Sequence, residues 1–393
     1  MDNSQSAQEY RELFGEGPVW PEEPRKRRFS PWHNPRKQYI RREQWVKALS
    51  ELIDDYMKTG RRDFQYLTLP GEDLLDVRYF HNTVFAPQEI LFKYIGFDTA
   101  RNNSAEREAR LGADQHATRL ELEYIDHESR VIPGDIRRIA QENSYEYLSF
   151  LAAAPFDAIN LDLCKGIASK DKDEGIPNYF DTLSGIMAVQ SHSDHDFLLF
   201  ITTRMDDGPI EPDKRAALHR VVEDVCEECS IFRDELSKYW NIDLCDPCRS
   251  LASEDCEGSV FALSIALWIL CHGLNAGLRG NVLDFITYKV YGKNEEDDML
   301  SLAIRFSQSP HQPIDKYELC SGGQVAFTAP DKCDLASLVP EKIYRKLSLD
   351  SYIEANRDVW EWCVNESADL LASAGYDKEG YLKWAESRRM SDI

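Results

Sequence analysis

A series of short β-rich runs, separated by helix-length segments, most constrains what this chain can fold into. Phe197–Thr203 (FLLFITT) is the clearest member and is nearly all apolar. A run apolar at successive positions predicts a strand buried on both faces, as in a parallel sheet sandwiched between helices. The other runs are Phe64–Leu69 (FQYLTL), stopped by Pro70-Gly71; Leu91–Phe97 (LFKYIGF), ending at Asp98; the weaker Arg130–Ile132, broken by Pro133-Gly134; and Phe156–Leu163 (FDAINLDL). A polar helix is predicted from about Ala105 to Tyr124 and another over Tyr179–His192. Right-handed crossovers then make the sheet doubly wound and Rossmann-like, with ligands outside the carboxyl ends of its strands. The units are an arm and helix over 1–60, an α/β domain over 61–308 with a Cys-rich helical insertion at 214–258, and a helical appendage over 309–393.

The 42% hydrophobic content and 8 Trp exclude a disordered chain. The longest apolar run, Val260 to Cys271, is too short for a bilayer, which needs about 20 residues, so it reads as a buried helix with no membrane span. The first residues are polar and charged, unlike a secretory signal. With 10 Cys and no export signal, the expected compartment is the reducing cytoplasm.

Charge is unevenly placed. The net charge is -23, yet Arg25 to Arg62 holds 12 basic and 4 acidic residues. Phe29, Trp32, Tyr39 and Trp45 stand among these cations, a mixture suited to the backbone and unstacked bases of RNA or DNA. The alternative is an arm that docks on the acidic body of its own chain or on a protein partner. The acidity elsewhere repels a polyanion. Pro31 and Pro35 predict an extended arm, followed by a helix over Arg42–Lys58 with Trp45, Leu49, Leu52, Ile53 and Tyr56 on one face.

Acidic residues fall at the strand ends: Asp98, Asp135 and, in FDAINLDL, Asp162. Such acids bind a ribose diol or simply cap the next helix. Asn160 and Asp162, two apart on a strand, point the same way and would orient one amino group between them. These elements resemble the class I S-adenosylmethionine-dependent methyltransferases over about Arg61 to Gln308. The resemblance places TLPGEDLLDVRYF at the cofactor turn, GFD at the ribose acid, PGDI near the adenine and FDAINLDLCKG at the catalytic motif. It implies cofactor binding by Leu69, Pro70, Gly71, Asp98, Asp135 and Ile136, with Asn160 and Asp162 catalytic. It also implies a seven-stranded sheet closed by an antiparallel hairpin, here Val282–Tyr291 and Met299–Phe306, with Val260–Leu274 as the crossover helix. INLDLCKG and LLFITTRMDDG are similar to runs in the tRNA guanine-N2 dimethyltransferases, which implies transfer to a nucleic-acid base nitrogen. The chain departs from the family in having one glycine after the first strand and no aromatic in the fourth-strand motif. Those departures carry the alternative: a catalytically silent scaffold or sensor in a multi-protein assembly, such as a bacterial antiviral defence system.

Cys226, Cys229, Cys245 and Cys248 have the spacing C-x2-C-x15-C-x2-C, which fits a structural zinc site. The counter-reading is a helix through Arg215–Trp240 that buries Cys229 with Val222 and Phe232. His192 and His195 read as solvated loop. Ile353, Trp360, Val364 and Leu371 mark a carboxyl-terminal helix that covers the core or contacts a partner.

Overall fold

The computed structural model describes residues 26–71, 73–99, 122–163, 166–169, 175–205, 210–240, 257–290, 297–309 and 332–390. Eight strands form one sheet in the order β3-β2-β1-β4-β5-β7-β6-β8. β1 (Asp63–Thr68), β2 (Leu91–Asp98), β3 (Arg130–Pro133), β4 (Ala158–Asp162) and β5 (Phe197–Arg204) are mutually parallel. β7 (Met299–Gln308) runs antiparallel to both β5 and β6 (Leu278–Tyr288). The fold is therefore α/β with a mostly parallel sheet, and among the described residues that sheet has eight strands where seven were expected. The addition is β8, only Leu347–Ser348, parallel to β6. Two residues carry no readable alternation, and they lie in a stretch patterned as helix.

Successive strand residues feed two cores. Leu67, Ile95, Ile159, Leu161, Leu199 and Ile201 pack on one face, under helices Tyr179–Gln190, Pro212–Glu228 and Glu257–Asn275. Phe64, Tyr66, Phe92, Tyr94, Leu198 and Phe200 pack on the other, under helix Lys47–Lys58 and part of helix Arg357–Ser373. β5 buries every side chain from Phe197 to Thr203, the physical cause of its uninterrupted apolar run. Helix Glu257–Asn275 has the length and composition to cross a membrane. Its residues Val260 to Leu267 are nevertheless sunk in the first core, each full-sized apolar side chain there contributing about 1.5–3 kcal/mol of burial.

The arm differs from its expected extended form. A helix starts at Pro35, where the missing N–H costs nothing, and the Asn34 side chain accepts from the Arg36 N–H at 3.0 Å. The helix passes through a π-helical stretch, Ile40–Val46, into Lys47–Lys58. Ile40 and Trp45 are wholly buried. The carboxyl-terminal helices close over the start of this arm. Lys26 and Gly375 share a 2.9 Å backbone hydrogen bond, and Phe29 packs against Tyr376, Tyr381 and Trp384. Trp360 is buried in the second core, so helix Arg357–Ser373 covers part of that face of the sheet. The helix expected over 105–124 lies almost entirely outside the described residues. The one expected through Arg215–Trp240 is two helices, broken at Cys229, whose backbone is extended.

Candidate functional site at the carboxyl rim of the sheet

The strand register decides which residues meet. Thr68 is level with Gly96 on β2 and with Asn160 on β4. Asp98 and Asp162 therefore stand in the next row, on the same face, on the strands flanking β1. Two strand spacings separate them, roughly 10 Å. Asp135 does not join them. Its carboxylate caps the 3-10 turn Ile136–Ala140, accepting from the Arg137 N–H at 3.0 Å and pairing with the buried Arg137 guanidinium at 2.6 Å. That guanidinium rests 5.6 Å from the Tyr179 ring centre.

The expected cofactor residues are divided. Ile136 is buried in the first core, and Leu69 packs against it. Pro70 closes over β2 so tightly that a Cβ on Gly96 would lie 2.7 Å from its Cγ. Gly71 has φ +61°, a left-handed turn that glycine adopts without strain. Of the six, Leu69, Pro70 and Ile136 are engaged in packing and Asp135 in capping.

The catalytic pair is also engaged. Asn160 is fully buried; its amide donates to the Tyr66 hydroxyl at 3.0 Å, while its Oδ1 is buried without a hydrogen-bond partner among the described residues. The Asp162 carboxylate takes the Lys37 ammonium at 2.7 Å. Lys37 donates as well to Thr202 Oγ1 at 3.2 Å and stands 4.5 Å from the Trp45 ring centre. Its side chain is 5% exposed, that of Asp162 23%. Lys37, Thr202 and Trp45 were not among the residues the sequence singled out for this site. The available signal was the 37/41/45 spacing, which puts two cations and an indole on one helical face once a helix is allowed to begin at Pro35.

The rest of the arm repeats this pattern. Arg41 pairs with Asp76 at 2.6 Å, Arg36 with Asp350 at 2.7 Å and Lys26 with Asp73 at 2.8 Å, while Arg42 meets Glu366. Arg36, Lys37 and Arg41 are buried and paired, which withdraws them from any outside polyanion. His33 sits beside the Asp73 group, its Nε2 3.9 Å from the carboxylate and without a hydrogen-bond partner among the described residues. Burial drives its pKa down to about 4, against the opposing pull of Asp73.

The opposite end of the sheet holds a different arrangement. Asp157, just before β4, receives both Arg61 guanidinium arms at 2.7 and 2.8 Å, the Tyr56 hydroxyl at 2.9 Å and the Gln65 N–H at 2.7 Å. A cavity of about 320 Å³ opens at this end, bordered by Asp196, Arg279, Asn281, Arg305 and Ser307.

The zinc expectation meets a direct obstacle. Cys229 forms a disulfide with Cys333, and a sulfur so bonded is not a thiolate ligand. Cys226 is buried, and Cys245 and Cys248 lie outside the described residues. Among the described residues, no group of three or more His, Cys, Asp or Glu side chains is arranged to hold a metal.

A family model described as PP_RS20740-like matches residues 26–386. The chain belongs to the PP_RS20740-like family. The matched span of this PP_RS20740-like chain begins at Lys26 and ends within helix Lys378–Met390, so it takes in the whole sheet and most of the arm and appendage. No curated protein matches the chain.

Proposed function

We propose that this chain is a catalytically silent methyltransferase-like protein that serves as a scaffold or sensor in a multi-protein assembly. One observation carries the reading: the Lys37 ammonium occupies the end of β4, against the carboxylate that would orient a methyl acceptor. A tethered cation there pairs with Asp162, the carboxylate that an acceptor nitrogen would need. The commitment of Pro70 to Gly96 and of Asp135 to Arg137 supports the same conclusion.

The competing reading is methyl transfer from S-adenosylmethionine to a nucleic-acid base nitrogen, with Asn160 and Asp162 orienting the acceptor. It is favoured by antiparallel β7 lying between β5 and β6, the arrangement that the methyltransferase resemblance implies at that edge. Calorimetric titration of the full chain with S-adenosylmethionine and S-adenosylhomocysteine separates the two. The silent reading expects no binding heat at about millimolar ligand, some 4 kcal/mol of affinity. Saturable micromolar binding of either ligand would overturn the occupied-rim argument, and methyl transfer to RNA or DNA by the same sample would restore the enzyme.

A further inference from the structure

We infer that the cavity at the amino end of the sheet is a binding site for a small organic oxyanion, its carboxylate or phosphate held by Arg279 and its apolar body set against Leu335 and Leu338. The inference goes beyond the proposed function and does not rest on it, because the cavity lies at the end of the sheet away from the Lys37–Asp162 pair.

Strand alternation builds the polar wall. Along Leu278–Val282 of β6, Leu278, Gly280 and Val282 are buried while Arg279 and Asn281 are exposed. Gly280 is pressed onto the first core, where a Cβ would lie 2.5 Å from Leu270 Cδ2, so its two neighbours face the other way. Antiparallel pairing sets Arg279 opposite Ser307 and Asn281 opposite Arg305 on β7. Two guanidinium groups, an amide and a hydroxyl therefore share one face. Among the described residues β8 pairs with β6 only at Ile286 and Thr287, which leaves β6 as the sheet edge at this end. Leu335, on helix Lys332–Ser337, and Leu338, just after it, complete the lining.

The charges here are unequally satisfied. The Arg305 guanidinium is held by Asp55 at 2.9 Å and by Asp196 at 2.8 Å. The side chains of Arg279, Asn281 and Ser307 have no hydrogen-bond or ion-pair partner among the described residues. Arg279 and Arg305 against Asp196 leave the lining one positive charge in surplus, on a chain whose net charge is -23. Such a lining selects an anion. A free guanidinium fork matches two oxygens of a carboxylate or phosphate, and the amide and hydroxyl beside it supply further donors. Leu335 is 4% exposed and Leu338 56%, so one apolar contact is enclosed and the other is open to an entering ligand. The volume of about 320 Å³ falls at the lower end of the range for small-molecule sites, room for a ligand of several carbons.

The test is calorimetric titration of the full chain, at constant ionic strength, with sodium hexanoate, monohexyl phosphate, inorganic phosphate and 1-hexanol. Hexanoate or hexyl phosphate is expected to bind with a Kd of about 1 mM or tighter, and the tighter of the two names the head group. Inorganic phosphate and hexanol each lack one part of the recognised chemistry and should bind about tenfold more weakly or worse. Arg279→Gln alters an exposed side chain outside every ion pair, so it should fold as the parent does and weaken hexyl-anion binding about tenfold. Leu338→Asp, which sets a carboxylate against the ligand, should weaken it similarly. No binding of either hexyl anion, as when another part of the chain fills the cavity, would overturn the proposal. Binding that neither variant weakens, or that hexanol or inorganic phosphate matches, would overturn it as well. Binding of S-adenosylmethionine that persists in Arg279→Gln reports on the rim alone, so failure of one reading is distinguishable from failure of the other.

Discussion

The two ends of the sheet each bury a cation against an aspartate, and they do so differently. At the amino end, Asp157 is surrounded by donors: two guanidinium arms, a phenol and a backbone N–H. At the carboxyl rim, Asp162 receives Lys37 on one oxygen, remains partly exposed, and lies two residues from an Asn160 oxygen without a hydrogen-bond partner among the described residues. A carboxylate enclosed by donors fixes geometry. One met by a single ammonium, next to an unmet acceptor, has fewer of its lone pairs engaged. The first region joins the end of helix Lys47–Lys58 to β1 and β4; the second joins the arm helix to the ends of β4 and β5.

The largest effect should come from Asp157→Ala. Removing that carboxylate takes the Gln65 N–H acceptor and the buried partner of Arg61, while Tyr56 keeps the Asp196 carbonyl and Arg61 keeps Asp63, so urea unfolding should show a loss of about 3 kcal/mol. A loss below about 1 kcal/mol would erase the distinction between the two ends.

His33, on the rim side, should give the next effect. Its pKa is depressed in the folded chain to about 4 from 6.5, so below 6.5 the unfolded chain binds the extra proton. The contribution of the neutral ring is fully present above that pH and is lost as pH falls towards 4, amounting to about 2–3 kcal/mol. Unfolding free energy should therefore decline over that window more steeply in the parent than in His33→Gln. Parallel curves would show that His33 is not held neutral.

Lys37→Met should cost less, about 1–2 kcal/mol, because Asp162 has access to water whereas Asp157 does not. A double-mutant cycle between Lys37 and Asp162 should give a smaller coupling energy than one between Arg61 and Asp157; the reverse order would break the comparison. The smallest effect belongs to the outer arm. Arg27→Ala removes an 82% exposed guanidinium paired with Asp377 and should change stability by no more than about 0.5 kcal/mol. The Arg27→Ala/Arg28→Ala pair should leave affinity for RNA or DNA unchanged in a filter-binding assay, since a nucleic-acid arm would lose affinity and salt dependence with each phosphate contact.

Much of this architecture was legible because strand patterning is local. β5 was readable from FLLFITT alone, and the even-numbered positions of β2 and β4 that bring Asp98 and Asp162 to one face follow from strand alternation. What escaped depends on the unusual geometry of single residues or on distant pairing. Pro35 signalled extended chain but serves as the first residue of a helix, and that reversal turned Lys37, Arg41 and Trp45 inward. Asp135 looked equivalent to its two neighbours in the series, yet an arginine two residues away claims it. The cysteine spacing displayed Cys226 and Cys229 as a pair, whereas the sulfur that meets Cys229 is 104 residues further along. Spacing does not reveal contacts of that range.

The rim carboxylate is already occupied by a lysine of the same chain, and side-chain reactivity shows whether that pair holds in solution. Native protein is exposed briefly to an acetylating reagent, and the rates at Lys37 and at Lys47, whose side chain is 66% exposed, are compared by mass spectrometry. The account predicts that Lys37 reacts at least about tenfold more slowly and catches up only on unfolding, as expected for an ammonium held in a buried pair. Equal rates in the folded chain would show that Lys37 stands in solvent and that Asp162 is free.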